Sequence, residues 1–242
     1  MSYLSLSRWI VCFLFIVLCI HAFSAEENFL LINGMTDEVV TELGPNVHKQ
    51  MSPCSTFKIP LSLIGYDAGV LEDETHPTWD FQEGYDGWLV SWRAPQSPLS
   101  WMKYSCVWFS RVLAGKLGEE RFQGYLDLFD YGNKDMSGGL QTAWINSSIA
   151  ISPREQATFL QRVLLGKIAL SPDAVSNTKE ILFLGTLQDG SKLYGKTGWT
   201  GSNTDPHRNP PDQSLMQTDT PPRPRWIASA PGRSTNLACG TL

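Results

Sequence analysis

The order in which hydrophobic patterns follow one another constrains this chain most tightly. An apolar stretch, "NFLLIN" (28–33), opens it as a strand, with "EVVTEL" (38–43) as a candidate hairpin partner. Helical spacing then takes over. "STFKIPLSLIGYDAGVL" puts Phe57, Leu61, Ile64 and Ala68 on one face, with Pro60 in the first turns and Gly69 as the stop. Residues 76–101, rich in Trp and Pro, read as irregular. Two more helices are predicted at "YSCVWFSRVLAGKLG" (104–118) and "EERFQGYLDLFDYGN" (119–133). The clearest is "SPREQATFLQRVLLGK" (152–167): Ser152 caps, Pro153 takes the first position, Glu155 completes a capping box, and Leu160, Val163 and Leu164 face inward. "TKEILFLGTL" and "SKLYGKTGW" then read as a short helix followed by a strand. Strands flanking a helical block predict an α+β architecture whose two chain ends share one sheet.

At 242 residues the chain suits one large domain or two small lobes. Its net charge of -5 comes without any lysine or arginine run, which argues against nucleic acid but leaves room for a small anionic ligand. Arg8, then the twelve apolar residues "WIVCFLFIVLCI", then "AFSA", predict a signal peptide over 1–24, with cleavage after Ala25 as the near alternative and an uncleaved anchor as the rival. The mature chain is then expected to be exported to the periplasm with no membrane span. Cys12 and Cys19 leave with that segment. The remaining Cys54, Cys106 and Cys239 give no even set for a disulfide framework, and no C-x-x-C or histidine cluster suggests a metal. Cys54 and Cys106 read as small packed hydrophobes.

Chemistry is suggested at two places. "PCSTFKIP" carries Ser55 and, three residues on, Lys58, which is a nucleophile with its base or a helix start with a surface lysine. S-x-x-K is expected by chance roughly once in such a chain. It occurs three times, at Ser55/Lys58, Ser100/Lys103 and Ser176/Lys179. "GKTGWTG" (195–201) places Lys196 and Thr197 where they could hold a carboxylate, with Gly198 leaving room against the backbone. The alternative there is an ordinary turn.

Taken in order, S-x-x-K, "SCV" (105–107), "YGN" (131–133) and K-T-G resemble the class D, oxacillinase-type serine β-lactamases. "SLIGYDAGVL", "YGNKDMSGG" and "AWINSSIAISPREQATFL" extend the resemblance, which covers residues from about 30 to 201. It implies the serine β-lactamase and penicillin-binding-protein-like fold, with an antiparallel sheet from both chain ends and an inserted helical region. It also implies a small β-lactam substrate, opened by Ser55 as nucleophile. Lys58 would take up carbon dioxide, supplied as bicarbonate, and serve as the general base. Phe57, Val107 and Trp144 would line the amine and keep it neutral, with the Trp144 indole N–H donating to the carbamate. Ser105 would sit between Lys58 and Lys196 and relay a proton. Lys196 and Thr197 would face the substrate carboxylate, and the backbone N–H groups of Ser55 and Trp199 would form an oxyanion hole. Tyr131 would shape the site. The rival functions are a β-lactam-sensing receptor domain, which acylates without turnover, and a penicillin-binding transpeptidase.

After Asn203 the resemblance stops. Residues 204–242 hold seven of the fifteen prolines and little aliphatic pattern, where the family continues with two mid-sheet strands, a carboxylate-binding arginine and a C-terminal helix. Arg208, Arg223, Arg225 and Arg233 lie in no matching motif. Two explanations compete: a natural disordered extension, or a shift of reading frame near residue 203, which the abruptness of the change favours and which would leave an inactive, C-terminally altered chain.

Overall fold

In the computed structural model, residues 28–198 are described, together with the backbone of 226–229 and 236–241. The segment read as a signal peptide lies outside the described residues. So do Trp199 and the four tail arginines, of which Arg225 directly precedes a described strand.

Six strands form one antiparallel sheet in the order β2-β1-β6-β5-β4-β3. They are β1 (Asn28–Asn33), β2 (Val39–Leu43), β3 (Phe183–Thr186), β4 (Lys192–Gly195), β5 (Trp226–Ser229) and β6 (Asn236–Thr241). Both chain ends therefore share the sheet, as the α+β reading expects. The tail reading differs: composition suggested no strand after 203, yet β6 pairs with β1 from Asn28↔Thr241 to Asn33↔Asn236, and β5 joins β6 to β4. Pairing uses backbone donors and acceptors, and "WIAS" and "NLACGT" contain no proline to interrupt them.

Between β2 and β3 runs the helical block: α1 (Lys58–Asp67), α2 (Pro98–Tyr104), α3 (Val107–Leu117), α4 (Glu119–Phe129), α5 (Pro153–Leu164) and α6 (Pro172–Leu182). Helix α1 is the axis of the domain. Every residue from Lys58 to Tyr66 is buried, so its sequence shows little amphipathic contrast. Around it lie Trp101, Trp108, Phe109, Phe122, Phe129 and Phe159, with Trp101 and Phe109 stacked at 5.1 Å.

Among the departures from the sequence reading are two helix boundaries and the inward face of α5. The helix expected at 104–118 begins only at Val107, because Ser105 adopts the left-handed conformation (φ 56, ψ 33) and ends α2. The helix expected at 119–133 stops at Phe129, where Asp130 is also left-handed. On α5 the capping box forms, Ser152 Oγ accepting from the Glu155 N–H at 3.2 Å while the Glu155 carboxylate accepts from the Ser152 N–H at 2.8 Å. Val163 is buried, but Leu160 and Leu164 are only half-buried and pack on a smaller cluster of Leu30, Ile32, Val47 and Ala157 beneath the sheet. The helix is wedged between two cores, and a single-face pattern does not describe it.

Candidate active site

The site begins with a turn. Met51 bridges to Ile151. Cys54 takes a positive φ of 47, and the chain then winds through a 3-10 turn, Cys54–Phe57, directly into α1. Thr56 fastens it, its N–H and its hydroxyl both donating to the Pro53 carbonyl at 3.0 and 2.7 Å. Ser55 is thereby presented at the N-terminal end of α1, half-buried, with Lys58 one turn on. Lys58 Nζ lies 3.4 Å from Ser55 Oγ.

Lys58 is 2% exposed. No carboxylate among the described residues pairs with it, and burial pulls its pKa down from 10.5 to about 8. At neutral pH about one-tenth of such an amine is unprotonated, against roughly one part in three thousand for a free lysine. The other two S-x-x-K pairs have structural explanations. Ser100 closes a capping box with Ser97 at the start of α2, while Ser176 is exposed on α6.

Aromatic rings back this turn. Phe57 and Trp144 are face to face at 5.3 Å and 9°, and Trp144 continues the stack onto Phe122 at 6.0 Å. Tyr131 meets the edge of Phe57 at 5.4 Å, and its hydroxyl donates to Gln156 Oε1 at 2.9 Å. That bond holds its hydroxyl in the core, where Tyr131 is fully buried. In "YGN", Asn133 clips the adjoining segment: its N–H donates to the Ala150 carbonyl, its Oδ1 accepts from the Ala150 N–H and its Nδ2 donates to the Ser148 carbonyl.

Ser105 occupies the left-handed turn between α2 and α3, half-buried, with Val107 half-buried at the start of α3. Its neighbour Cys106 is fully buried, and burial raises that thiol to about 11. The Lys58 charge acts on Cys106, so this turn and the Lys58 amine share one electrostatic environment. Cys54 and Cys106 are free thiols.

Lys196 follows directly on β4. It is 6% exposed, and its pKa lies well below the usual lysine range, first through burial and then through the charge of Lys58. Its Nζ donates to the Thr197 carbonyl at 2.9 Å and reaches Thr197 Oγ1 at 3.5 Å. Gly198 does make room, but for the chain itself: a methyl there would lie 2.9 Å from Thr56 Cγ2 and 3.1 Å from the Pro53 oxygen. The K-T-G segment thus packs directly on the turn that carries Ser55. Sequence reasoning missed Ser52 and Asn146, whose contacts tie that turn to Trp144. Neither carries a pattern that would mark it.

The chain matches the penicillin binding protein transpeptidase domain family over residues 32–228. It is 38% identical over 181 residues to beta-lactamase OXA-1 of Escherichia coli, covering 72% of this chain and 64% of that protein. To beta-lactamase OXA-9 of Klebsiella pneumoniae it is 34% identical over 183 residues, covering 72% and 66%. The match thus spans just under two thirds of these relatives' length. The solved structure of the OXA-427 class D beta-lactamase superposes with a TM-score of 0.74 at 35% identity, over 89% of this chain and 88% of that one. The chain belongs to the penicillin-binding transpeptidase family and, within it, to the class D β-lactamases.

Proposed function

We propose that the chain hydrolyses the β-lactam ring of penicillin-type antibiotics through an acyl-enzyme on Ser55, with carboxylated Lys58 as the base for both halves of the reaction. The observation that carries this reading is a buried amine, with no carboxylate partner among the described residues and a pKa lowered to about 8, 3.4 Å from a serine hydroxyl. An ammonium has no lone pair to offer carbon dioxide. The unprotonated Lys58 Nζ has one: it forms a bond to the carbon, loses a proton to solvent and becomes a carbamate anion. That anion supplies a base with oxygen acceptors. The site fits it, since a dry anion needs a donor and the Trp144 indole N–H makes no hydrogen bond to another described residue.

In acylation, Lys58 in this form takes the Ser55 proton as Oγ attacks the lactam carbonyl. The C–N bond breaks and the nitrogen receives a proton by way of Ser105. Lys196 and Thr197 hold the substrate carboxylate. The Ser55 N–H, at a helix start, is one donor to the carbonyl oxygen as it gains charge, and the Trp199 N–H is the other. In deacylation, Lys58 takes a proton from water, which attacks the ester and frees Ser55. With its amino-terminal segment acting as a signal peptide, the protein works in the periplasm on a small-molecule substrate. Among the described residues, no helix is long and apolar enough to cross a membrane.

The test is steady-state hydrolysis of a chromogenic cephalosporin in bicarbonate-depleted and replenished buffer, from about pH 5 to 8. Turnover should fall on depletion, recover on addition and decline with acid. Indifference to bicarbonate would refute the carboxylated base, and a burst without turnover would assign the chain to the receptor reading.

A further inference from the structure

Ser52, three residues before the nucleophile, has no part in the chemistry above. Its hydroxyl donates to the Trp144 carbonyl at 2.9 Å and accepts from the Asn146 N–H at 2.9 Å. The same Trp144 carbonyl accepts from the Cys54 N–H at 3.0 Å, and the Cys54 thiol reaches Asn146 Oδ1 at 3.5 Å. Cys54 and Asn146 both hold positive φ, 47 and 49. Non-glycine residues keep that conformation only where their surroundings over-determine it. Two strained turns are therefore cross-tied, and Ser52 Oγ is the atom that bonds on both sides of the Trp144–Asn146 backbone.

The position of the tie matters because of how Trp144 is held elsewhere. Phe57 and Phe122 stack on its ring at 9° and 19°. Stacking fixes the plane of a ring but tolerates offset within that plane. In-plane sliding is the movement that would carry the indole N–H toward or away from a partner. Backbone anchoring opposes it alongside the packing around the buried ring, and Ser52 supplies two of the bonds that anchor that backbone.

We infer that Ser52 is a positioning residue, which sets where the Trp144 indole N–H stands relative to Lys58 and so how readily Lys58 takes up and keeps carbon dioxide. This rests on the carboxylated-lysine reading.

The experiment compares the parent protein with Ser52→Ala, Ser52→Thr and Ser52→Cys, reading the bicarbonate concentration that gives half-maximal turnover. Carbon-13 spectroscopy of the carboxylated lysine provides a second readout. Ser52→Ala should raise the half-saturating bicarbonate roughly fivefold, the equivalent of one net hydrogen bond. Ser52→Thr should restore it, and Ser52→Cys, which keeps the shape with weaker bonds, should fall between. In a Trp144→Phe background, where the N–H is gone and the stack remains, Ser52→Ala should add nothing. An unchanged half-saturation in Ser52→Ala, or in Ser52→Cys where the alanine variant does not fold, overturns the inference while a bicarbonate-dependent parent upholds the reading beneath it. A lowered thermal midpoint with unchanged half-saturation, or an equal rise in the Trp144→Phe background, overturns it too. A parent indifferent to bicarbonate overturns both.

Discussion

The charge of Lys58 adds to burial in holding the Lys196 pKa well below the usual lysine range. Both amines are buried. Two adjacent cations are costly to hold in a dry cleft. Carboxylating Lys58 reverses its sign, removing the repulsion and giving Lys196 an anionic neighbour.

That relationship fixes a stability profile. The pKa of Lys58 is lowered from 10.5 to about 8, so between those values the unfolded chain binds more protons than the folded one. The penalty is fully present below about pH 8, and stability should rise with pH from there to 10.5, by up to about 3 kcal/mol for Lys58 alone. Lys196 acts in the same direction. Lys58→Met should therefore be more stable than the parent at neutral pH, flatten the rise and lose turnover. Urea denaturation of carbon-dioxide-free samples across that range checks the sign.

Gly198, three residues past β4, packs against the turn that carries Ser55. In Gly198→Ala the new methyl meets Thr56 and the Pro53 carbonyl at 2.9 and 3.1 Å, so one segment must shift by a few tenths of an ångström. Misplacement on that scale should lower kcat/KM by about ten- to a hundredfold with a small change in thermal midpoint. Steady-state kinetics beside a melting curve separates the two effects.

Gly132 in "YGN" is a folding position. It holds φ 52, and a Cβ there would stand 2.1 Å from the Ala150 carbonyl oxygen. Gly132→Ala should destabilise by about 3 kcal/mol or more, since strain and a backbone clash add. The midpoint of chemical denaturation is the measurement, and a change below 1 kcal/mol would count against the clip.

Truncation after Asn203 removes β5 and β6, which among the described strands join β1 and β2 to β4 and β3 in the sheet. Two facing rows of backbone groups would lose their partners. The shortened chain should not yield a cooperatively folding monomer, as judged by circular dichroism and size-exclusion chromatography. A sharp, parent-like melting transition would show the tail strands to be dispensable.

Much of this was legible in the residues. The capping box at Ser152 and the two-ended sheet follow from local pattern, which backbone chemistry enforces wherever it occurs. The helix start after Ser55 follows in the same way. The ordered motifs brought Ser55, Lys58, Ser105 and Lys196 to notice. They did not show that Ser105 ends a helix in a left-handed turn, because one "YSCVWF" run continues the apolar spacing across the break. Nor did they show the strands of the tail, since a central strand can be held by its neighbours' hydrogen bonds when its own side chains give no pattern.

What the sequence determined by itself is chemical: a serine and a lysine one helical turn apart, and a second lysine beside a hydroxyl. What only the tertiary structure decided is their state. Burial to 2% and 6% exposure, on elements more than a hundred residues apart, lowers the pKa of both lysines. The Ser52 tie to Trp144 spans 92 residues of chain. Desolvation and contact are properties of what surrounds a side chain, and the surroundings exist only once the sheet has closed around α1.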